Sequence, residues 1–417
     1  MALKSQSRNI DKSYFYIGTF LFLIFVVFVP HNGHPFDTYC WKAWSTYSAT
    51  HGLQNIYFTN TDYLPLYHYV LFLFGKIMGS AENINQYIYY LKPITLTFHL
   101  ISGFFILQLA KEKFSPKQAL TLTCVYFLLN FAIVYNALFW GQVDDIFTCF
   151  VFISFYFAYR EKVTISLIAL LLAINFKLQA IIFIPLIGLL LLPTMVATFK
   201  WKNLALWIGS LALIQTAILL PFISTSTVGK MWSVVTESFG KYPSVSMFAF
   251  NFWDFFFWKD LKTVSDQSKI LGLTYKNWGL LLFFASSSCA LFPLIRSVYS
   301  TLFTQKKQKE TIDTLLLIGA LIPLLFFFFN TQMHERYSHP ALLFVMIYSI
   351  RNKQIVLPIL ISIAYLLNLL MAQHFEKLSA ENWFIGTRKI SAILYFFCII
   401  ILYFRLYITS YFKFRTS

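Results

Sequence analysis

Long apolar runs recur along the whole chain, and they restrict its fold more than any other feature. TFLFLIFVVFV stands near the start, LLLIGALIPLLFFFF in the second half and ILYFFCIIILYF near the end. Hydrophobic residues make up 58% of the 417 residues and charged residues only 12%, about half of the ~25% in a typical soluble protein. The pattern excludes a soluble enzyme, a disordered chain and a disulfide scaffold. It predicts an all-α polytopic membrane protein.

The lengths of the apolar runs predict the number of membrane crossings. A crossing helix needs ~20 mostly apolar residues. Twelve candidates lie at 13–30, 87–110, 118–135, 146–159, 163–176, 179–199, 203–223, 276–298, 312–330, 338–350, 354–372 and 390–408. The stretch 64–79 is shorter and contains Pro65, His68 and Lys76, so we expect an interfacial helix there. The sequence therefore predicts a single transmembrane domain over 1–417, with about 12 transmembrane helices.

The distribution of charge predicts the orientation. The net charge is +16, a value that also suits a nucleic-acid-binding protein. With the N-terminus inside, however, the twelve spans place 19 of the 33 basic residues and only five of the 17 acidic residues in cytoplasmic segments. This excess follows the positive-inside rule, so nucleic acid is not implied as a partner. The two longest outer segments are then 31–86 and 224–275, and we expect them to form the active-site face.

Acidic residues stand beside several predicted spans on the outer side. Asp37 follows the first span, and Asp62 precedes the interfacial helix. Asp144 and Asp145 lie at the outer end of the fourth span, and Glu335 lies between the ninth and tenth spans. Ionised groups at such depths are costly and usually functional. Four outer segments thus offer carboxylates at a similar level.

Each of these acidic residues also has a structural interpretation. Asp37 could cap the helix formed by TYCWKAWSTYSATHG, which is a common role for Asp. Asp144 and Asp145 could be the solvated end of a span. Glu335 and Arg336, in MHERY, could form a salt bridge at the membrane surface. These alternatives stay open at the level of the sequence.

Two basic residues are also unusual in their position. Lys177, in NFKLQA, follows a span of about 14 residues, which is too short for a ~30 Å hydrocarbon core. A lysine there lies near the membrane plane, so it should face a water-filled cavity or pair with an anion. Arg336 has a similar position. Two cations beside several carboxylates suit a substrate that carries a phosphate and whose other end is lipid.

Taken in chain order, five segments form a recognisable set. They are Asp37 just after the first span, HGLQNIYF with DYLPLYHY, FWGQVDD, FKLQ and MHERYSHP. The set resembles the GT-C membrane glycosyltransferases. It is most similar to the bacterial relatives of the GPI-anchor mannosyltransferases, which use a polyprenyl- or dolichyl-phosphate sugar. The resemblance covers residues 31–345. It implies an inverting transferase in the bacterial inner membrane, with its active site facing outside and Asp37 as the catalytic base.

The resemblance also implies which residues bind substrate. They are Asp62, Tyr63, Tyr67, Trp140, Gln142, Asp144, Lys177, Gln179, His334, Glu335, Arg336 and Tyr337. The expected partners are a lipid-linked sugar donor, with mannose favoured, an acceptor that is a glycan, a lipid or a protein, and membrane lipids. One carboxylate would take the proton of the acceptor hydroxyl, and cations would stabilise the leaving phosphate. No Gly-rich phosphate loop is present. The Asp144–Asp145 pair could hold a divalent metal, which we leave unassigned.

Two other classes of membrane protein are compatible with the sequence. A secondary transporter also fits twelve spans with both termini inside. Transporters usually show pseudo-symmetric halves and charges at the midplane, whereas the acidic residues here gather at one face. A flippase or polymerase of lipid-linked saccharides would share the lipid-phosphate substrate.

Overall fold

The computed structural model describes residues 2–223, 227–237, 240–258, 261–304, 309–374 and 382–416. Its α-helices are α1 (Ala2–Val27), α2 (Pro35–His51), α3 (Pro65–Met78), α4 (Ala81–Tyr87), α5 (Lys92–Ala110), α6 (Pro116–Thr123), α7 (Phe131–Val134), α8 (Asp144–Tyr159), α9 (Val163–Phe176), α10 (Ile184–Ala197), α11 (Trp201–Ile223), α12 (Thr227–Glu237), α13 (Tyr275–Phe303), α14 (Ile312–Phe329), α15 (His339–Asn352), α16 (Val356–Gln373) and α17 (Asn382–Thr416). The strands are β1 (Ser246–Met247), β2 (Lys269–Ile270), β3 (Leu273–Thr274) and β4 (Met333–His334).

Short turns of other helix types join these elements. Tight 3₁₀ turns lie at Leu53–Phe58, Ile88–Leu91, Leu178–Phe183, Phe252–Phe255 and Leu261–Thr263, and wider π-helical turns lie at Cys124–Leu128 and Tyr135–Trp140. The turn at Ile88–Leu91 links α4 to α5, and the turn at Leu178–Phe183 leads into α10. The chain reverses after the second π turn at Gly141, whose φ of 87° is a left-handed conformation that glycine adopts without strain.

Eight helical segments within the described ranges are long and apolar enough to cross a membrane. They are Asn9–Val27, Ala81–Ala110, Leu178–Ala197, Trp201–Ile223, Tyr275–Phe303, Ile312–Phe329, Val356–Gln373 and Gly386–Ile408. A ninth is possible if Pro116–Leu128 and Phe131–Trp140, which meet at a bend of 48°, form one broken span. The prediction of an integral, all-α polytopic membrane protein is confirmed. The predicted count of twelve spans is not.

Three of the predicted spans are shorter as helices than a bilayer requires. The helix α8 has 16 residues, and α9 and α15 have 14 residues each. At 1.5 Å per residue they measure about 24 and 21 Å, against a hydrocarbon core of ~30 Å. Nearly every residue of α15 is buried against other helices. The apolar sequence of α15 therefore reflects contact with protein rather than with lipid.

The predicted interfacial stretch 64–79 is helical, as α3. Its buried face includes Leu71 and Gly75 and packs on α2. The Ser45 hydroxyl donates a hydrogen bond to the Leu71 carbonyl over 2.8 Å. A side chain at Gly75 would meet the Ser45 carbonyl oxygen at 2.7 Å, so the two helices approach closely. Much of the predicted outer segment 31–86 is therefore ordered helix.

A group of ion pairs joins four predicted cytoplasmic segments at one end of the bundle. Glu112 accepts hydrogen bonds from Arg160 over 2.5 Å and from Arg351 over 3.3 Å. Arg351 also donates to Asp313 over 2.7 Å, and Lys113 lies 3.6 Å from Asp313. We call these five residues the inner ion-pair cluster. Because α8, α9 and α15 start or end near it, their opposite ends meet on the other side of the molecule.

The predicted outer segment 224–275 is described at 227–237, 240–258 and 261–275. Its strand β1 pairs in parallel with β4, with Ser246 opposite Met333 and Met247 opposite His334. The strands β2 and β3 form a small antiparallel hairpin. Pairing of β1 with β4 holds this outer segment against the MHERY motif.

Candidate functional site

The first turn of α2 carries Asp37, and a close backbone contact positions that turn. The His34 N–H donates to the Trp140 carbonyl over 2.9 Å, and the His34 ring stacks on the Trp140 ring with centroids 4.4 Å apart. A side chain at Gly33 would meet the same carbonyl oxygen at 2.8 Å, so this approach requires glycine. The N-cap of α2 is His34, and Asp37 lies inside the helix. The capping hypothesis for Asp37 is therefore wrong.

The two carboxylate oxygens of Asp37 have different surroundings. Oδ2 accepts hydrogen bonds from Trp140 Nε1 over 2.8 Å and from Gln142 Nε2 over 2.6 Å, and His34 Nδ1 lies 3.3 Å away. Oδ1 lies 4.0 Å from Arg336 Nη2. Within the described ranges, Oδ1 accepts no hydrogen bond. One oxygen is thus anchored, and the other is free to accept a proton.

Arg336 and Lys177 each pair with a buried carboxylate. Arg336 Nη1 donates to Glu335, and its Nε lies 3.9 Å from Asp144 Oδ2. Lys177 Nζ donates to Asp144 Oδ1. Lys177 is placed at the end of α9, where its extended backbone stops the helix. We call Asp37, Asp144, Lys177, Glu335 and Arg336 the floor cluster.

Two acidic residues of the floor cluster lie outside the membrane-spanning helices and are held ionised. Burial opposes ionisation of Asp37. The Arg336 guanidinium, followed by His34 and Trp140, outweighs burial and holds the pKa of the carboxyl well below its ordinary value. Burial also opposes ionisation of Glu335, but Arg336 and then His334 lower its pKa to about 2. Both carboxylates are therefore negatively charged at neutral pH.

The floor cluster borders a cavity of about 2390 Å³. Ten of the predicted site residues line this cavity: Asp37, Asp62, Tyr63, Trp140, Lys177, Gln179, His334, Glu335, Arg336 and Tyr337. The flank toward α10, α13 and α14 is apolar and includes Ile181, Pro185, Phe283, Leu291 and Phe326. The cavity thus combines a charged floor with an apolar flank.

The other three predicted residues lie behind the cavity wall. Gln142 bonds to Asp37, and Asp144 bonds to Lys177. Tyr67 is buried behind Trp41, with ring centroids 4.7 Å apart. These three side chains support residues that line the cavity.

Several lining residues are fixed by their neighbours. Gln179 Nε2 donates to the Tyr337 carbonyl over 2.9 Å, and the Tyr63 hydroxyl lies 3.5 Å from Gln142 Oε1. Asp62 lies apart from the other acidic residues, where it pairs with Lys241 over 2.9 Å at the half-exposed edge of the cavity. The structure thus brings Asp37 and Glu335 together, but not Asp62 with them.

Asp145 is directed away from Asp144 and into the helix bundle. Its Oδ1 lies 2.9 Å from His339 Nε2 and 3.8 Å from His99 Nδ1. Both Asp144 and Asp145 are buried, so neither is the solvated end of a span. In the part of the chain that the structure describes, no group of three or more His, Cys, Asp or Glu side chains is placed to hold a metal ion. The paired aspartates thus form two separate contacts rather than one metal site.

One positioning residue was missed from the sequence. The Lys92 ammonium is buried and donates to the carbonyls of Pro30 and Asn32, each over 2.6 Å. These bonds hold the chain that leads from α1 into the Asp37 turn. Lys92 lies inside the predicted span 87–110, and an ionisable residue in a span is a signal of function that could have identified it.

The fold and the cavity define an integral membrane protein with a charged site at one end of its helices. A comparison with models of known protein families gives no match to this chain, and a comparison with curated proteins gives none either. Its activity must therefore be inferred from the site and from the resemblance of its motifs.

Proposed function

We propose that this protein is an inverting membrane glycosyltransferase of the GT-C type. It would move a hexose, with mannose favoured by the resemblance, from a polyprenyl- or dolichyl-phosphate sugar to an acceptor hydroxyl. The observation that carries the proposal is the free Oδ1 of Asp37, 4.0 Å from Arg336 at the floor of a cavity with an apolar flank. The motif set beginning at Asp37 supports it independently. The reaction would occur on the outer face of a bacterial inner membrane.

Asp37 acts as the general base in this proposal. The acceptor oxygen forms a bond to the anomeric carbon while the bond from that carbon to the phosphate oxygen breaks. The hydroxyl proton passes to Asp37 Oδ1, because Oδ2 is occupied by Trp140 and Gln142. Arg336 keeps the pKa of Asp37 low, which limits its basicity. A donor phosphate beside Arg336 would offset that positive charge and raise the basicity of Asp37 when the donor is bound.

Lys177 and Arg336 would stabilise the leaving phosphate. Negative charge develops on the phosphate as the sugar leaves, and fixed cations in a water-poor site stabilise such charge strongly. Asp144 and Glu335 hold the two cations in place. Charge-assisted hydrogen bonds from a lysine and an arginine suit a phosphodiester. No nucleotide is required for this step, because the leaving group is a lipid phosphate.

The apolar flank would accept the lipid chain of the donor. It is formed by α10, α13 and α14, and its lining includes Pro185, Phe284 and Leu291. Leu280, Leu281 and Phe284 on α13 are exposed, as expected of a helix that contacts lipid. An amphipathic donor would therefore find its phosphate and its tail accommodated in one continuous cavity. The proposed acceptor is a glycan, a lipid or a protein that approaches from the outer side.

A secondary transporter is the second candidate, and one observation favours it. The broken pair Pro116–Leu128 and Phe131–Trp140, bent by 48°, ends at the site, and broken helices at a binding site are common in transporters. A transporter also needs a path to the opposite face. Here the inner ion-pair cluster ties four segments together at that end, which favours the transferase.

The test is a transfer assay with purified protein in phosphatidylcholine nanodiscs. A short-chain polyprenyl-phosphate mannose with a labelled sugar is supplied with candidate acceptors, and release of polyprenyl phosphate is measured. The proposal predicts release that depends on Asp37. Absence of both donor binding and release, together with solute uptake in proteoliposomes, would favour the transporter.

A further inference from the structure

The small hairpin of β2 and β3, at 269–274, carries exposed apolar side chains at its end. Leu271 and Gly272 form its turn, and both have a positive φ, of 49° and 83°, as in the two-residue turns that favour hairpins. Leu271 is 87% exposed, and its neighbours Ile270 and Leu273 are exposed as well. We call Ile270, Leu271 and Leu273 the apolar tip. Adjacent apolar side chains at a surface indicate contact with another protein or with a membrane.

The hairpin is folded back against the first turn of α13. Trp278 Nε1 donates a hydrogen bond to the Ile270 carbonyl over 2.9 Å, and the Tyr275 N–H donates to the Ser268 carbonyl over 3.0 Å. The first bond joins the tip of the hairpin to a residue about one turn inside the helix, whereas the second joins its base to the start of the helix. The apolar tip therefore lies beside α13 rather than beyond its end.

The charged residues of α13 indicate where the membrane surface crosses this helix. Between Lys276 and Arg296, the 19 residues at 277–295 carry no charge. At 1.5 Å per residue they measure about 28 Å, which is close to the ~30 Å hydrocarbon core of a bilayer. One boundary of the core therefore lies near Lys276. Trp278 stands just inside this boundary, at the level where tryptophan is enriched in membrane proteins. Because the apolar tip is bonded to Trp278, it lies at the same level.

The face of α13 that continues from Trp278 is exposed and apolar. Leu281, Ala285 and Phe292 follow Trp278 by three, seven and fourteen residues, a spacing that places them on one face of a helix. All three are exposed, although α13 is long and apolar enough to cross a membrane. The apolar tip thus extends the lipid-facing surface of a membrane span.

The size and the flanking charge of the apolar tip suit lipid better than a second protein. Three side chains fall far short of the ~800 Å² that each partner buries in a stable protein interface. Lys269 precedes the tip and is exposed. A lysine can lay its apolar stem along a lipid surface while its ammonium group reaches the phosphates. Together with the position of the tip on α13, these features favour the bilayer as its partner.

We propose that the apolar tip inserts into the lipid leaflet on the side of the floor cluster, beside the exposed face of α13. The base of the hairpin is bound to the site, because the Asp266 carboxylate accepts hydrogen bonds from Gln332 over 2.6 Å and from Thr331 over 3.1 Å. Insertion therefore holds the edge of the cavity next to the MHERY motif at the level of the lipid headgroups. The contact forms whether the cavity serves a transferase or a transporter.

The test measures the depth of a nitroxide spin label at position 271 of the full-length, cysteine-free protein in phosphatidylcholine bilayers. Collisions of the label with oxygen, which concentrates in lipid, are compared with collisions with a nickel chelate, which stays in water. A label at Leu281 gives the lipid reference and a label at Asn60 gives the water reference, because both side chains are exposed, the first on α13 and the second in the outer segment 31–86. Thermal unfolding confirms that each labelled protein folds.

The ratio of oxygen to nickel collisions at position 271 should approach the ratio at Leu281. The label should lie about 5–10 Å below the lipid phosphates, the depth that apolar groups reach at a membrane surface. A ratio equal to that at Asn60 would place the tip in water and overturn the proposal. Few collisions with either reagent would also overturn it, because protein would then cover the tip. Spin–spin broadening would in that case identify a second copy of the chain as the cover.

A pair of variants tests whether the apolar side chains cause the insertion. The label is moved to Leu273, and Leu271→Asp is compared with Ser268→Asp, which adds the same charge at an exposed position at the base of the hairpin. Leu271→Asp should lower the collision ratio to that at Asn60, because an ionised carboxylate is costly to place in lipid. Ser268→Asp should leave the ratio unchanged. Equal ratios in the two variants would contradict the proposal.

Discussion

The substitution Asp37→Asn tests the proposed base directly, because the hydrogen bonds of Asp37 determine how the amide must orient. Trp140 Nε1 and Gln142 Nε2 both donate to Oδ2, so the amide oxygen must take that position. The amide nitrogen then replaces Oδ1 and faces Arg336. The reversed orientation would leave two buried donors unsatisfied, at ~1–3 kcal/mol each. The substituted side chain therefore fits the site but presents no proton acceptor to the cavity.

The expected effect is on the chemical step and not on donor binding. Loss of a general base lowers the rate ~10²–10⁴-fold, which corresponds to about 3–5 kcal/mol in the activation barrier. Arg336 keeps its contacts with Glu335 and Asp144, so donor affinity should change by less than about threefold, under 1 kcal/mol.

The assay combines single-turnover transfer at saturating donor with a donor titration followed by tryptophan fluorescence. Asp11→Asn is the matched control, because Asp11 forms an ion pair with Lys111 at the other end of the bundle. Turnover of the Asp37→Asn protein within about threefold of wild type, a difference under 1 kcal/mol in the barrier, would refute the assignment of Asp37 as the base. Asp62, which lines the cavity, would then be the candidate.

Three further predictions address the phosphate site, the loss of stability at acidic pH and the topology. Lys177→Gln and Arg336→Gln should each weaken donor binding by ~1.5–3 kcal/mol, as for a hydrogen bond to a charged group, and unchanged affinity in both variants would contradict their role. The pKa of Glu335 is lowered to about 2, so its stabilising contribution is present above its ordinary pKa of 4.5 and is lost as the pH falls toward 2. Glu335→Gln should therefore reduce the loss of thermal stability on acidification, and an unchanged pH profile of the melting temperature would count against this. In a cysteine-free background, a cysteine at Asn60 should react with an impermeant maleimide in intact cells and one at Lys353 only after permeabilisation. Labelling of the cysteine at position 353 from outside would show that the topology is the reverse of the one predicted.

The sequence predicts the class of fold and much of the site for clear physical reasons. Charged residues beside apolar runs must be satisfied by water or by each other, so Asp37, Lys177 and Glu335 were expected to gather at one end of the helices. The floor cluster agrees with that expectation. The basic residues of the predicted cytoplasmic segments gather likewise, as the contacts of Arg160 and Arg351 with Glu112 indicate.

Other features depend on contacts that a single sequence does not contain. Hydropathy does not distinguish burial in protein from burial in lipid, so the sequence alone does not show that α15 is short and enclosed by other helices. Asp144 and Asp145 are adjacent in sequence, but successive side chains on a helix point in directions about 100° apart, and the two carboxylates contact different partners. The pairing of Asp62 with Lys241 joins residues far apart in the chain, and no local pattern predicts it.

The short helices under the cavity have a consequence for membrane permeability. Between the floor cluster and the inner ion-pair cluster, α8, α9 and α15 provide only about 21–24 Å of protein, where intact lipid would provide ~30 Å. This thinner layer must still insulate the cell against leakage of protons and ions. It can do so because α14 and α15 fill it with buried apolar side chains, such as Leu321 and Phe344. We expect polar substitutions of these buried side chains to increase the permeability of the membrane to ions while the contacts of the floor cluster are still intact. The choice of side chains in α15 would then be restricted by the need to block the flow of ions as well as by the need to fold.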